Sequence, residues 1–541
     1  MKKRILTFLS VLMLAFVLGT ISGGIQVSAA GYASTITLCG INNDTTSITV
    51  NADTAVLPKS DDGMFYLFAE PTFSGGLTTA YLAATPMATS VSFTADLKKT
   101  QSDSRLYSKF IVAVLSGGQY VAVSEAKYLT NPEAVATSTT ARVVPGSKKG
   151  LMIDPAKLGT GELEDLGVKQ TAYNINVSYI LGPTSNSAYP TIDYTYNGKN
   201  YQFNGLRIAE YDGIFKALSS KGISITAILL NNYDPSYLQL IHPLARDGFV
   251  CSYYMFNAAD QSGVELMAAV GSFLSQRYSN KGVGQVDNWI IGNEITARTQ
   301  WNYISAMKLD AYVEEYAKAF RVFYTAIKSE NANANIYLSI DQQWDRNRKQ
   351  TENYDGRDLL TSFNANISSK GNIDWGVACH PYGVPLTWAK FWDVPANYAK
   401  MKLVSHSVSS KFLTMQNIEV LTDFLVAPAM ISSTGQVRSV ICTEVGYTDA
   451  QGQDIQAVAF TYGYLQAAYN QYIDAFIISS ETDHEAEIAQ GLAMGLTKTD
   501  GSHKLIYDFY KYIDTPNSTY YTELAKPYVG ITDWTQVLTA R

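Results

Sequence analysis

Cysteine is scarce in this chain of 541 residues, which has four in all: Cys39, Cys251, Cys379 and Cys442. None has the close spacing of a zinc site or a disulfide framework, so a fold stapled by metal or bridges is excluded. Charged residues make up only 16% of the chain, and beyond the first four residues Lys and Arg form no long basic run. Counterion release from a polyanion needs such a concentration of charge, which rules out nucleic acid or an anionic surface as the main partner. The His-Glu-x-x-His spacing of a zinc hydrolase is missing, as is the Gly-x-Ser-x-Gly elbow of a serine hydrolase. There is no internal repeat. No metal and no cofactor is expected.

What is present begins with an export pattern. Lys2, Lys3 and Arg4 precede an apolar stretch over 5–18, and the small residues Val27, Ser28 and Ala29 lead up to Ala30. This predicts a cleaved signal peptide over 1–30, because the apolar core is shorter than the roughly 20 residues of a membrane span. No cysteine sits at the cleavage point to take a lipid. Cleavage leaves 38 basic side chains against 48 acidic ones, a formal charge of −10, on an extracellular protein with no membrane attachment. Apolar residues form 46% of the chain, enough for a large core.

Between about 31 and 137, short alternating runs such as Phe65-Tyr66-Leu67-Phe68 and Phe110-Ile111-Val112-Ala113-Val114 are separated by Gly, Asp, Ser and Asn clusters. That pattern predicts an N-terminal all-β sandwich. Residues 138–150, rich in Ser, Thr and Gly, read as a linker. From 151 to 541 apolar runs alternate with amphipathic stretches, the signature of an α/β protein. Strands are expected at 168–177, 224–230, 250–256, 286–291, 336–340, 375–379, 437–442 and 475–479, and eight strands close a (β/α)8 TIM barrel. Over 309–329, Tyr312, Tyr316, Phe320 and Phe323 recur at helical spacing and read as core. Asn197-Gly198 marks a hairpin over 191–203. By strand parity Cys442 should point into the barrel and Cys379 outward.

Two of these strands end in carboxylates. Val286 to Ile291 leads to Gly292-Asn293-Glu294, and Val440-Ile441-Cys442-Thr443 leads to Glu444. Glutamates delivered to a barrel mouth can cleave a glycosidic bond, one protonating the leaving oxygen while the other attacks the sugar carbon. The two need opposite environments: the acid must keep its proton, and the nucleophile must stay ionised.

Trp289-Ile290-Ile291-Gly292-Asn293-Glu294 resembles the Asn-Glu motif closing the fourth strand in clan A of the glycoside hydrolases. Ile441-Cys442-Thr443-Glu444-Val445-Gly446 is similar to the motif closing their seventh. The resemblance covers the barrel alone, and the chain looks closest to an uncharacterised family of secreted bacterial glycosidase-like proteins. It implies a (β/α)8 barrel, with Glu294 as acid/base, Glu444 as nucleophile and retention of configuration. It also implies that Asn293 binds a sugar 2-hydroxyl, and that His380 and Tyr382, in Cys379-His380-Pro381-Tyr382-Gly383, stand beside the nucleophile. The clan's eighth-strand tryptophan has no counterpart in 476–484, and its second-strand arginine has none either. Asn231 and Asn232 are candidates for the contacts these would make.

Further candidates follow from position. Trp344, with Asp341, Gln342 and Gln343, follows the fifth strand and can stack on a sugar face. Glu481 and His484 belong to an acidic cluster with Asp483, Glu485 and Glu487 after the eighth strand and can contact sugar hydroxyls. The expected function is a secreted hydrolase of a poly- or oligosaccharide. The alternative is an inactive carbohydrate-binding protein on the same barrel.

Overall fold

The computed structural model describes residues 31–349 and 351–541. The signal-peptide reading falls on residues 1–30, outside the described residues. Eight parallel strands close a barrel: Lys149–Leu151, Gln170–Asn176, Ser224–Leu230, Asn288–Ile291, Asn335–Ile340, Gly376–Cys379, Val440–Val445 and Ile473–Ile478. Each is followed by a helix, among them Gly205–Ser220, Gln261–Arg277, Leu309–Lys328, Gly356–Ser369 and Gln453–Ala468. The strands read as continuous apolar runs because a parallel strand is covered on both faces. Ser224–Leu230 is buried at every residue. Ile228, Ile290, Tyr337, Ala378, Ile441 and Ile477 fill the barrel interior, and a larger apolar layer, including Tyr312, Tyr316, Phe320 and Phe323, lies between strands and helices.

The strand register corrects the sequence reading at its start. The first strand is Lys149–Leu151, in the last part of the expected linker, and 250–256 contributes none. Two errors of opposite sign left the fourth to eighth strands correctly numbered. Three residues are too few to show periodicity, and Gly150 reads as loop. Glycine is needed there, because a Cβ would lie 2.6 Å from Ile477 Cγ1 where the first strand meets the eighth. Lys149 is buried, its ammonium paired with Asp514 at 2.6 Å and bonded to Leu166 O at 2.9 Å. Residues 250–256 instead cross the barrel mouth, tied down by bonds such as Tyr254 N to Asn231 O at 2.9 Å.

The rest of the expected linker is docked rather than free. Ser138 N donates to Glu330 O at 2.8 Å, Gln285 Nε2 to Ala141 O at 2.8 Å and Val143 N to Asp287 Oδ1 at 3.1 Å. Cys442 also departs from its expected direction. It packs in the outer layer with its Sγ 3.6 Å from that of Cys379, because the seventh strand breaks register between Cys442 and Val445 and parity does not carry across the bulge. All four cysteines are free thiols.

Ahead of the barrel lie a three-stranded and a five-stranded antiparallel sheet within 34–128. Ile48, Val50 and Phe93 of one and Phe65, Phe110 and Val112 of the other share a core. These sheets rest on the outside of the barrel, where Tyr128 N donates to Lys370 O at 2.8 Å and the Arg321 guanidinium lies 4.9 Å from the Tyr128 ring. The hairpin over 192–203 forms as its turn residues require, with Asn197 and Gly198 both at positive φ, and it follows the second strand rather than the first. No helix among the described residues is long and apolar enough to cross a membrane.

Candidate active site

The chain leaves the fourth strand through a turn that no ordinary run of L-residues adopts. Gly292 has φ 80° and Glu294 φ 36°, the latter a left-handed conformation costing a non-glycine residue about 1–2 kcal/mol. Neighbouring elements hold it there. Glu294 N donates to Ser339 Oγ at 3.1 Å and Ile295 N to Ser339 O at 2.9 Å, while the hydroxyls of Tyr316 and Tyr312 cap Ile291 O and Ile295 O at 2.7 and 2.6 Å. The helix aromatics predicted as core thus also fix the geometry of the turn. Such strain gathers where function requires a set position.

The same end of the barrel receives His380 after the sixth strand and Glu444 from the seventh. His380 Nδ1 lies 2.8 Å from Glu294 Oε1 and 3.5 Å from Glu444 Oε2, and the Tyr382 hydroxyl donates to Glu444 Oε2 at 3.2 Å. One donor atom from each of Glu294, His380 and Glu444 lies within 4.8 Å of the others. The irregularity between Cys442 and Val445 breaks the alternation that would put Glu444 on the same face as Cys442.

Burial raises the pKa of Glu294, the charges of Asp341 and Glu444 add to the rise, and His380 opposes it. Burial by itself would lower the His380 pKa, but the Glu444 charge, the Glu294 hydrogen bond and Asp341 outweigh it and push it up to about 9. Burial and the charges of Glu444 and Glu294 keep the Tyr382 phenol protonated. The cluster therefore sets the buried Glu294 carboxyl, its pKa raised, against an imidazole whose own pKa is raised. Its donor types also suit a divalent cation, but a ligating imidazole must be neutral, so a cation would have to displace the proton.

Glu294, Tyr382 and Glu444 line a cleft of about 390 Å³ with Asn293, Asp341, Gln342 and Gln343, and His380 is buried behind them. Asn293 is buried and its Oδ1 has no partner, an acceptor left for a ligand. The other expected contacts are not brought here. Trp344 is fully buried, donates its indole N–H to Val408 O at 2.9 Å and packs edge-on against Phe424. Its large apolar surface is better served in the core than at a wet rim. Asn231 follows the third strand rather than the second and ties down the crossing loop through Leu240 O at 3.0 Å and Met255 O at 3.3 Å. Asn232 beside it does not line the cleft either.

Glu481 turns toward the loop after the first strand and accepts from Asp154 N at 2.6 Å, with burial pushing its pKa up to about 7. His484 is exposed, ahead of the short helix Glu485–Ile488. Of that acidic cluster only Glu487 reaches the cleft.

Other lining residues were not singled out from sequence: Asn174, Tyr253, Trp301, Ser479 and Met494. Asn174 stands near the end of the second strand and would have been found with the strands correctly counted. Trp301, seven residues beyond Glu294 at the end of the one-turn helix Arg298–Trp301, offered a signal of its own. Tyr253 was hidden inside a segment misread as strand.

The profile of a family of unknown function (DUF5722) matches residues 141–537, and the chain belongs to that family. Comparison with curated proteins finds no match. Among solved structures, the chain is similar to a family 39 glycoside hydrolase from Bacteroides cellulosilyticus WH2, at 12% identity and TM-score 0.43 over 89% of this chain and 83% of that one. It is similar to GH5_18 from Bifidobacterium longum at 14% identity and TM-score 0.43, over 73% and 81%. A β-glycosidase from Thermosphaera aggregans gives 14% identity and TM-score 0.41 over 68% and 88%. The closed barrel stands on its own strand pairing, and the site on its own distances.

Proposed function

We propose that the protein is a glycoside hydrolase that cleaves a poly- or oligosaccharide with retention of anomeric configuration. The observation that carries this reading is the approach of one carboxylate oxygen of Glu294 to within 4.8 Å of one of Glu444, from positions 150 residues apart in the chain. Retaining pairs stand about 5–5.5 Å apart, and inverting pairs leave about 6.5–9.5 Å for a water.

Glu294, with its raised pKa, gives its proton to the glycosidic oxygen while the Glu444 carboxylate attacks the anomeric carbon. The carbon–oxygen bond breaks, the aglycone leaves as an alcohol, and a glycosyl ester forms on Glu444. Glu294, now ionised, takes a proton from water, whose oxygen displaces Glu444. The Tyr382 hydroxyl holds the attacking carboxylate in place, and Asn293 Oδ1 accepts from a sugar hydroxyl. Residues 31–137 are read as a β-sandwich domain on the strength of the two sheets with a shared core. The leader pattern supports export.

The test is a glycan panel with product analysis, followed by a 2-deoxy-2-fluoro glycoside matched to whichever substrate is cleaved. Mass spectrometry should find the label on Glu444. Release of product with inverted configuration, or labelling at another residue, would discard the mechanism.

A further inference from the structure

The charge of the cleft is one-sided. Four carboxylates line it, Glu294, Asp341, Glu444 and Glu487, and among the described residues no Lys or Arg does. Basic groups around it are already engaged, two of them with residues of the cleft wall itself. Arg348 pairs with Asp341 at 2.6 Å, Lys504 with Asp483 at 2.6 Å and Asp449 at 3.0 Å, and Arg346 bonds Gln343 at 2.7 Å with its guanidinium over Phe412. His380 lies fully buried beneath, shared by Glu294 and Glu444.

Glu487 differs from the other three, because among the described residues its carboxylate has no hydrogen bond and no ion pair. Burial raises its pKa, His484 opposes the rise, and Glu444 and Asp483 add to it, which places Glu487 and Glu444 in one another's field. The unpartnered, buried Asn293 Oδ1 adds a second acceptor aimed at a ligand. Tyr253 and Trp301 also line the cleft, with ring centroids 5.8 Å apart. Acceptors and aromatic faces suit a sugar that offers O–H or N–H donors and C–H faces. A carboxylate or sulfate on the sugar would meet Glu444 and Glu487 in a partly desolvated cleft, while Arg348 is already held by Asp341 and the His380 charge is buried beneath the glutamate pair.

We propose that the cleft admits sugar units bearing only hydroxyl or ammonium groups and rejects those bearing carboxylate or sulfate, with Glu487 as the residue that sets this selectivity. The inference rests on the glycosidase reading for the location of the sugar.

The experiment uses the full chain with a panel of neutral hexose, 2-amino-2-deoxyhexose, hexuronic acid and sulfated oligosaccharides in α and β linkages, measuring binding by calorimetry and turnover by product analysis. Neutral or amino members should bind at least about tenfold more tightly than anionic members of the same linkage. E487K should shift that ratio toward anionic members by about tenfold, and the nearly isosteric E487Q should shift it in the same direction by less. Anionic members bound as tightly as neutral ones, no member bound, or a ratio unmoved in both variants would each overturn the proposal. Neutral members bound but never cleaved would leave it standing and remove the hydrolase reading. Anionic members cleaved through Glu444 would do the reverse.

Discussion

At the amino-terminal end of the barrel a cavity of about 590 Å³ lies between the strand starts and the docked 142–148 segment, while the cleft at the opposite end has about 390 Å³. The larger cavity has polar walls most of whose groups are already bonded, although the buried Trp375 indole nitrogen has no partner. Lys148 bonds Ala467 O at 2.8 Å and Asn470 O at 2.6 Å, Asp474 accepts from Ser439 Oγ at 2.5 Å, and the Tyr337 hydroxyl meets Ser439 Oγ at 2.9 Å. The smaller one has a strained backbone at Glu294, an unpartnered Asn293 and titratable groups that shift one another. What separates a site from a gap is thus the convergence of unsatisfied polar groups, not volume. It falls at the end where barrel strands deliver side chains into loops.

The most severe challenge to that contrast is Glu444→Gln. It should lower kcat/KM on any glycan the protein cleaves by about 10³-fold or more while leaving the thermal midpoint near that of the parent. A variant retaining parental activity would move the chemistry elsewhere.

Trp344→Ala separates packing from recognition. Removing this buried ring should destabilise the chain by about 3–5 kcal/mol in denaturant unfolding. Trp344→Phe should keep the glycan affinity of the parent, and a large loss of binding in a folded Phe variant would restore a stacking role. Tyr382→Phe should cost about 10–100-fold in kcat by freeing the Glu444 carboxylate, read from steady-state kinetics.

The cluster of Glu294, His380 and Glu444 has a signature in pH. Because the His380 pKa in the folded chain, about 9, exceeds its unfolded value of about 6.5, its contribution to stability is complete below the unfolded value and is lost as pH rises through about 9. NMR titration should find the imidazole still charged at neutral pH. In Glu444→Gln its pKa should fall, since the Glu444 charge is the leading cause of the rise. At the floor, Asp474→Asn should change stability by less than about 1 kcal/mol and leave kcat/KM unaltered. An activity loss there matching that of the mouth variants would erase the distinction between the two ends.

The sequence displayed its buried strands wherever they ran long enough. Ser224–Leu230 and Asn335–Ile340 lie close to their apolar runs, and the Asn197-Gly198 turn is where backbone chirality demands it. It hid Lys149–Leu151, because three residues including a glycine and a lysine carry no period. It also misplaced Trp344 and Glu481, whose residue types suit a sugar site and a buried structural contact equally well. Side-chain direction there is set by partners distant in the chain, Val408 for one and Asp154 for the other.

By itself the sequence determined that strands and helices alternate, and that glutamates close the fourth and seventh runs, since local period and residue type are written along the chain. Only the tertiary structure decided that Glu294 enters a left-handed turn, that Glu444 approaches it, and that His380 lies between them. Those outcomes depend on hydrogen bonds and charges contributed by strands far apart in sequence, which no local pattern encodes.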